Sequence, residues 1–104
     1  MKFINVTNSH SRMVMNQLEN TDAEMVKVYT AGNSTVIYTV APTHNEILII
    51  NRNRSILAHE VEEIKAFFLE KATLAGYQPE HISTIQLDGI VEISIAKQNQ
   101  AVGQ

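Results

Sequence analysis

Ile47-Leu48-Ile49-Ile50 is a stretch of branched aliphatic residues with no polar residue between them. A half-exposed strand alternates apolar with polar residues, whereas an unbroken apolar run this short suits a central strand covered on both faces. Something must then pack on each side of the sheet, either helices or a second chain. Ala41-Pro42-Thr43-His44-Asn45 precedes this strand as a loop, because Pro42 cannot continue a ladder. Asn51-Arg52-Asn53-Arg54 follows it as a polar turn.

Working toward the N-terminus, Thr35 to Val40 and Met25 to Thr30 are rich in Val, Ile, Tyr and Thr, with Gly32-Asn33 between them. Gly and Asn tolerate the positive φ of tight turns, so the two runs are expected to form a hairpin. Val36, Tyr38 and Val40 alternate with Thr35, Ile37 and Thr39, a half-buried pattern. Phe3 to Val6 is a short first strand. Between them, Val14 and Leu18 lie one helical turn apart beside Met15, which predicts a short helix over 11–19, stopped at Asn20-Thr21-Asp22.

Toward the C-terminus the pattern predicts a long helix opened by Ser55 as cap. Leu57, Val61, Ile64, Phe68, Ala72 and Ala75 trace one stripe, widened by Phe67 and Leu74. Glu60, Glu62 and Glu63 sit near its start, where the helix dipole favours negative charge. Gly76 supplies the stop and Pro79 follows. Asp88-Gly89 between Ile82–Leu87 and Ile90–Ala96 is a strong hairpin signal. The resulting expectation is an α+β two-layer sandwich, two helices on a mostly antiparallel sheet, in the order β-α-β-β-β-α-β-β. Residues 1–97 form a single domain in this reading, and the small polar residues 98–104 a flexible tail.

The 104 residues suit one core, and 44% apolar with 18% charged residues is a globular composition. No cysteine is present, which excludes disulfides, Cys-ligated metals and thiol catalysis. No apolar run approaches the ~20 residues of a membrane span, and polar residues interrupt the N-terminus where a signal peptide would need its apolar stretch. These features point to the cytoplasm. A net charge of −3 argues against broad nucleic-acid or anionic-membrane binding.

The junction between the first strand and the predicted first helix holds Thr7, Ser9, His10, Ser11 and Arg12. A helix N-terminus attracts anions, and hydroxyls with His and Arg assist, so these residues are the candidate small-ligand site. The same residues serve equally as simple caps, and no glycines are there to wrap a phosphate. Arg52 and Arg54 are the nucleic-acid candidates, without an interleaved aromatic to stack a base. His59-Glu60-Val61-Glu62-Glu63 lacks the second His of a zinc-protease helix, so no metal site is expected. No hydrolase elbow or glycine-rich loop occurs; no catalytic residue and no cofactor are assigned, and the balance points away from an enzyme.

Met1 to Arg12, Tyr29-Thr30-Ala31-Gly32-Asn33 and Ala41-Pro42-Thr43-His44-Asn45-Glu46 together resemble a family of small proteins of lactic-acid bacteria and related Firmicutes, classed as a domain of unknown function. The resemblance spans nearly the whole chain. It implies a bacterial cytosolic protein of this size and brings no activity and no site residue. The preferred function is a non-enzymatic interaction or regulatory domain that self-associates, as a homodimer, or docks on a protein partner, since a second chain would cover the doubly apolar strand. The alternative is a small-ligand or anion-binding domain at the first strand-to-helix junction.

Overall fold

The computed structural model describes residues 1–7, 25–74, 76 and 79–97. The elements in chain order are β1 (Phe3–Asn5), β2 (Met25–Ala31), β3 (Ser34–Val40), β4 (His44–Ile50), α1 (Ala58–Leu74), β5 (Pro79–Leu87) and β6 (Ile90–Lys97). All six strands lie in one sheet, ordered β1-β2-β3-β4-β6-β5, and every neighbouring pair is antiparallel.

This corrects the expected two-layer α+β sandwich with two helices in the order β-α-β-β-β-α-β-β. Among the described residues the order is β-β-β-β-α-β-β, and the protein is mostly β, with one helix on one sheet. The helix expected over 11–19 lies outside the described residues, as do the candidates Ser9, His10, Ser11 and Arg12 and the tail 98–104. The expectation underweighted the sheet: six antiparallel strands join one ladder, and α1 covers one side of it with Val61, Ile64, Phe68 and Ala72 along one continuous buried face.

The aliphatic run occupies β4, the fourth strand of the six, with β3 on one side and β6 on the other. Ile47 and Ile49 have no exposed surface and face α1. Leu48 and Ile50 point to the opposite, outer face and are only half-buried. The registers Tyr38↔Ile47↔Ile93 and Val36↔Ile49↔Val91 carry the helix-side core across three strands. Phe68, fully buried, fills its centre: its ring stacks on Tyr38 at 4.6 Å and meets Tyr29 edge-on at 5.2 Å. Phe67 stacks on Phe3 at 3.9 Å and so ties β1 to the helix.

Two of the three hairpin turns among the described residues stand at the expected glycines, Gly32 with φ 61° and Gly89 with φ 75°. The third is closed by the Ala41 N–H to the His44 carbonyl, so β4 begins inside the loop expected over 41–45. Gly76, φ 92°, closes α1 by donating its N–H to the Thr73 carbonyl. The helix starts later than expected, because Ser55 does not cap it: its hydroxyl donates to the Asp88 carboxylate instead. Leu57 and Leu74, assigned to the buried stripe, are exposed at the two ends.

After β4 the chain runs through α1, lays down β5 at the sheet edge, and returns so that β6 inserts between β4 and β5. That path brings the β5–β6 turn beside the loop between β4 and α1.

Candidate functional site

Where those two segments meet, an open cleft of about 320 Å³ is lined by residues 51–55 together with Asp88 and Gly89. Asn51 builds it. Placed directly after the buried strand, Asn51 is itself buried and its side-chain oxygen accepts the N–H groups of Asn53 (2.9 Å) and Arg54 (3.2 Å), which folds the loop back on itself. Its side-chain NH₂ donates to the Ser34 hydroxyl, and its backbone N–H to the Gly89 carbonyl at 2.9 Å. The Asn51 side chain thus joins the start of β3 to the loop, and its backbone adds the β5–β6 turn. Gly89 allows no substitute at that approach, since a Cβ would stand 2.8 Å from the Asn51 carbonyl oxygen.

The two arginines singled out from sequence both line this cleft, in different states. Arg54 forms a two-pronged pair with Glu60 of α1, at 2.8 and 2.7 Å, and also donates to the Ser55 carbonyl. Glu60 Oε1 in turn accepts the Leu57 N–H at 3.0 Å, supplying the first-turn acceptor that Ser55 does not. The Arg54 guanidinium, followed by the Leu57 N–H, lowers the Glu60 carboxyl from its ordinary value to about 2. Arg52 is exposed and makes no side-chain hydrogen bond or ion pair among the described residues. With Arg54 committed to Glu60 and the Asp88 carboxylate on the same wall, the cleft concentrates little positive charge.

The depressed Glu60 carboxyl has a pH signature. A lowered folded-state pKa stabilises the protein above the unfolded value of about 4.3, and that stabilisation fades as pH falls toward about 2. Glu60→Ala is expected to cost about 1 kcal/mol at neutral pH, mostly through the lost first-turn acceptor. The gap between the two proteins in urea unfolding should narrow below about pH 4. A gap that stays constant down to pH 2 would contradict the assignment.

Of the small-ligand candidates, Thr7 is described, and it works as a strand-pairing residue. Its hydroxyl accepts the Val28 N–H at 2.7 Å and lies 3.3 Å from the Val28 carbonyl, extending the β1–β2 pairing. Among the described residues no group of three or more His, Asp and Glu side chains converges, and Glu60 of the imperfect zinc-protease motif is bound to Arg54. No described helix is long and apolar enough to cross a membrane.

The second unusual region is the β5–β6 arm. The side chains of residues 81–88 are all exposed, on both faces of the strand. On the outer face the registers Ile50↔Ile90↔Leu87 and Leu48↔Glu92↔Ile85 form two rows of mainly apolar residues. Ile85 is 58% exposed, Leu87 64% and Ile90 42%. On the helix side Gln86 donates to the Ile56 carbonyl at 3.0 Å, fixing the arm to the start of α1. Sequence reading missed this surface because it treated residues 82–87 only as one limb of a hairpin. The available signal was the spacing of Ile82, Ile85 and Leu87, which divides apolar residues between the two faces instead of gathering them on one.

Comparison with known proteins agrees with the resemblance drawn from the sequence. Among curated proteins none matches the chain. A conserved protein of unknown function from Streptococcus thermophilus LMG 18311 has a similar solved structure, with a TM-score of 0.81 and 41% sequence identity over 95% of this chain and 99% of that one. The model of the family described as "Domain of unknown function (DUF1827)" matches residues 1–96. With nearly its full length matched, the chain belongs to the DUF1827 family.

Proposed function

We propose that this protein is a non-enzymatic interaction domain that engages another polypeptide through the β5–β6 arm. The observation that carries the reading is β5 itself: a nine-residue strand at the sheet edge, exposed on both faces from His81 to Leu87, with large aliphatic side chains in water. Edge strands offer unpaired N–H and C=O groups, and stable monomers usually guard them by shortness, charge, proline or a bulge. The opposite edge follows that rule, since β1 is three residues long. On β5 the guards sit at one end only: Pro79, the charged residue Glu80, and the irregular register between Pro79 and His81. From Ile82 to Leu87 there is no charge and no proline. The neighbouring cleft supports a small-ligand role less well, because its cations are paired or diluted by Asp88.

A photo-crosslinking residue placed at Leu87, in cells that encode the protein, tests the proposal. Adducts of discrete mass are expected from position 87 and not from Glu70, an exposed site on α1. If position 87 yields no more adduct than position 70, the arm is not an interaction surface.

A further inference from the structure

Resting on that reading, we infer that the partner of β5 is a second copy of this chain, joined by antiparallel β5–β5 pairing about a two-fold axis at Ile85. The hairpin turn fixes which backbone groups are free. Asp88-Gly89 is a two-residue turn closed by Leu87↔Ile90, and such a closing pair exchanges both of its hydrogen bonds. Bonded pairs alternate along an antiparallel ladder, so Leu87, Ile85 and Ser83 turn their N–H and C=O groups toward β6. The groups of Ile82, Thr84 and Gln86 therefore point outward from the sheet.

A two-fold axis at Ile85 sets Thr84 of each copy opposite Gln86 of the other, so that donors meet acceptors in both directions. It also sets Ile85 against Ile85 and Leu87 against Ser83 on the outer face. The exposed Ile85 and Leu87 of both copies then form one apolar strip, continuous with Ile90 and Ile50 of each outer face. An axis at Ser83 would place Leu87 opposite Pro79 and break the strip.

Charge fits the same arrangement. Residues 82–87 are uncharged, so the central six residues of two chains of net charge −3 meet without repulsion, and Asp88 falls at the two ends of the seam, opposite Ile82. His81 comes opposite the Asp88-Gly89 turn of the other copy, a basic side chain beside an acidic one. The nearest acidic pair on the outer face is Glu92 with Glu92, three strand spacings or about 14 Å apart and beyond the screening length at physiological salt.

The natural absence of cysteine makes a clean test. In the Ile85→Cys protein the two thiols face each other within disulfide reach, whereas in Ser83→Cys or Leu87→Cys they lie about 13 Å apart along the strands. Under mild oxidation Ile85→Cys is expected to give covalent dimer at least about ten times faster than either control. Equal rates at the three positions, or a faster control, overturn the pairing. Sedimentation equilibrium of the natural sequence should show a dimer, and Thr84→Pro, which removes an outward N–H that the fold itself does not use, should show a monomer with unchanged circular dichroism. A strict monomer for the natural sequence at every concentration removes the second copy as partner. The interaction reading would survive that result, and falls only if Leu87 fails to crosslink. If Thr84→Pro does not fold, the cysteine rates decide alone.

Discussion

Replacing Phe68 with alanine is expected to destabilise the protein by about 3–5 kcal/mol, a large share of the roughly 5–15 kcal/mol that holds a domain together. Phe68 is fully buried and touches the rings of Tyr29, Tyr38 and Phe67 at 4.6 to 5.2 Å. Its loss removes the hydrophobic transfer energy, opens a cavity beneath α1, and breaks the ring contacts that hold the helix over β2 and β3. Neighbouring side chains cannot refill the space, because Ile47, Ile64 and Ile93 are already packed without exposed surface. Urea unfolding measures the effect, with Leu74→Ala as control. Leu74 is 81% exposed on the same helix, and its truncation should change stability by less than about 0.5 kcal/mol. Comparable losses for the two variants would mean that α1 is not anchored through Phe68.

Asn51→Ala is expected to cost about 2–3 kcal/mol, more than its small volume suggests. The substitution leaves the Asn53 and Arg54 N–H groups without their acceptor and the buried Ser34 hydroxyl without its donor. The loop and the start of β3 lose their common tie at once, while the backbone bond to Gly89 remains. Asn51→Asp should recover much of the loss, since a carboxylate oxygen still accepts both N–H groups and the Ser34 hydroxyl can reverse to donate. Thermal unfolding of the three proteins ranks them, natural sequence first, aspartate next, alanine last. If aspartate proves as damaging as alanine, the loop is not organised by acceptor bonds from residue 51.

Much of this architecture was legible locally. Gly32-Asn33 and Asp88-Gly89 announce hairpins because few residues adopt positive φ, and Gly76 marks the helix end for the same reason. The middle of the α1 stripe and the inner place of β4 follow from spacing, whereas Leu57 and Leu74 are exposed and the expected cover on both faces of β4 is not met, since Leu48 and Ile50 are only half-buried. The strand order did not, because the insertion of β6 between β4 and β5 is a long-range choice that no short window records. The cleft was half legible. Arg52 and Arg54 were found as a polar turn, but the pairing of Arg54 with Glu60 depends on the helix folding back across the loop. Asn51 reads in sequence as one turn residue among several, although a polar residue placed directly after a buried strand is a sign of internal bonding. Asp88 was assigned to a turn, correctly, and its meeting with Ser55 thirty-three positions away rests on topology alone.

The insertion of β6 also sets a timetable for the newborn chain. While residues up to Ile50 are complete and those beyond 90 have yet to be made, one flank of β4 lacks its neighbour, leaving Ile47 and Ile49 at a raw margin of aliphatic backbone. Vectorial synthesis therefore cannot finish this protein strand by strand, and its most aggregation-prone seam stays unsealed until the hairpin of β5 and β6 arrives as a unit.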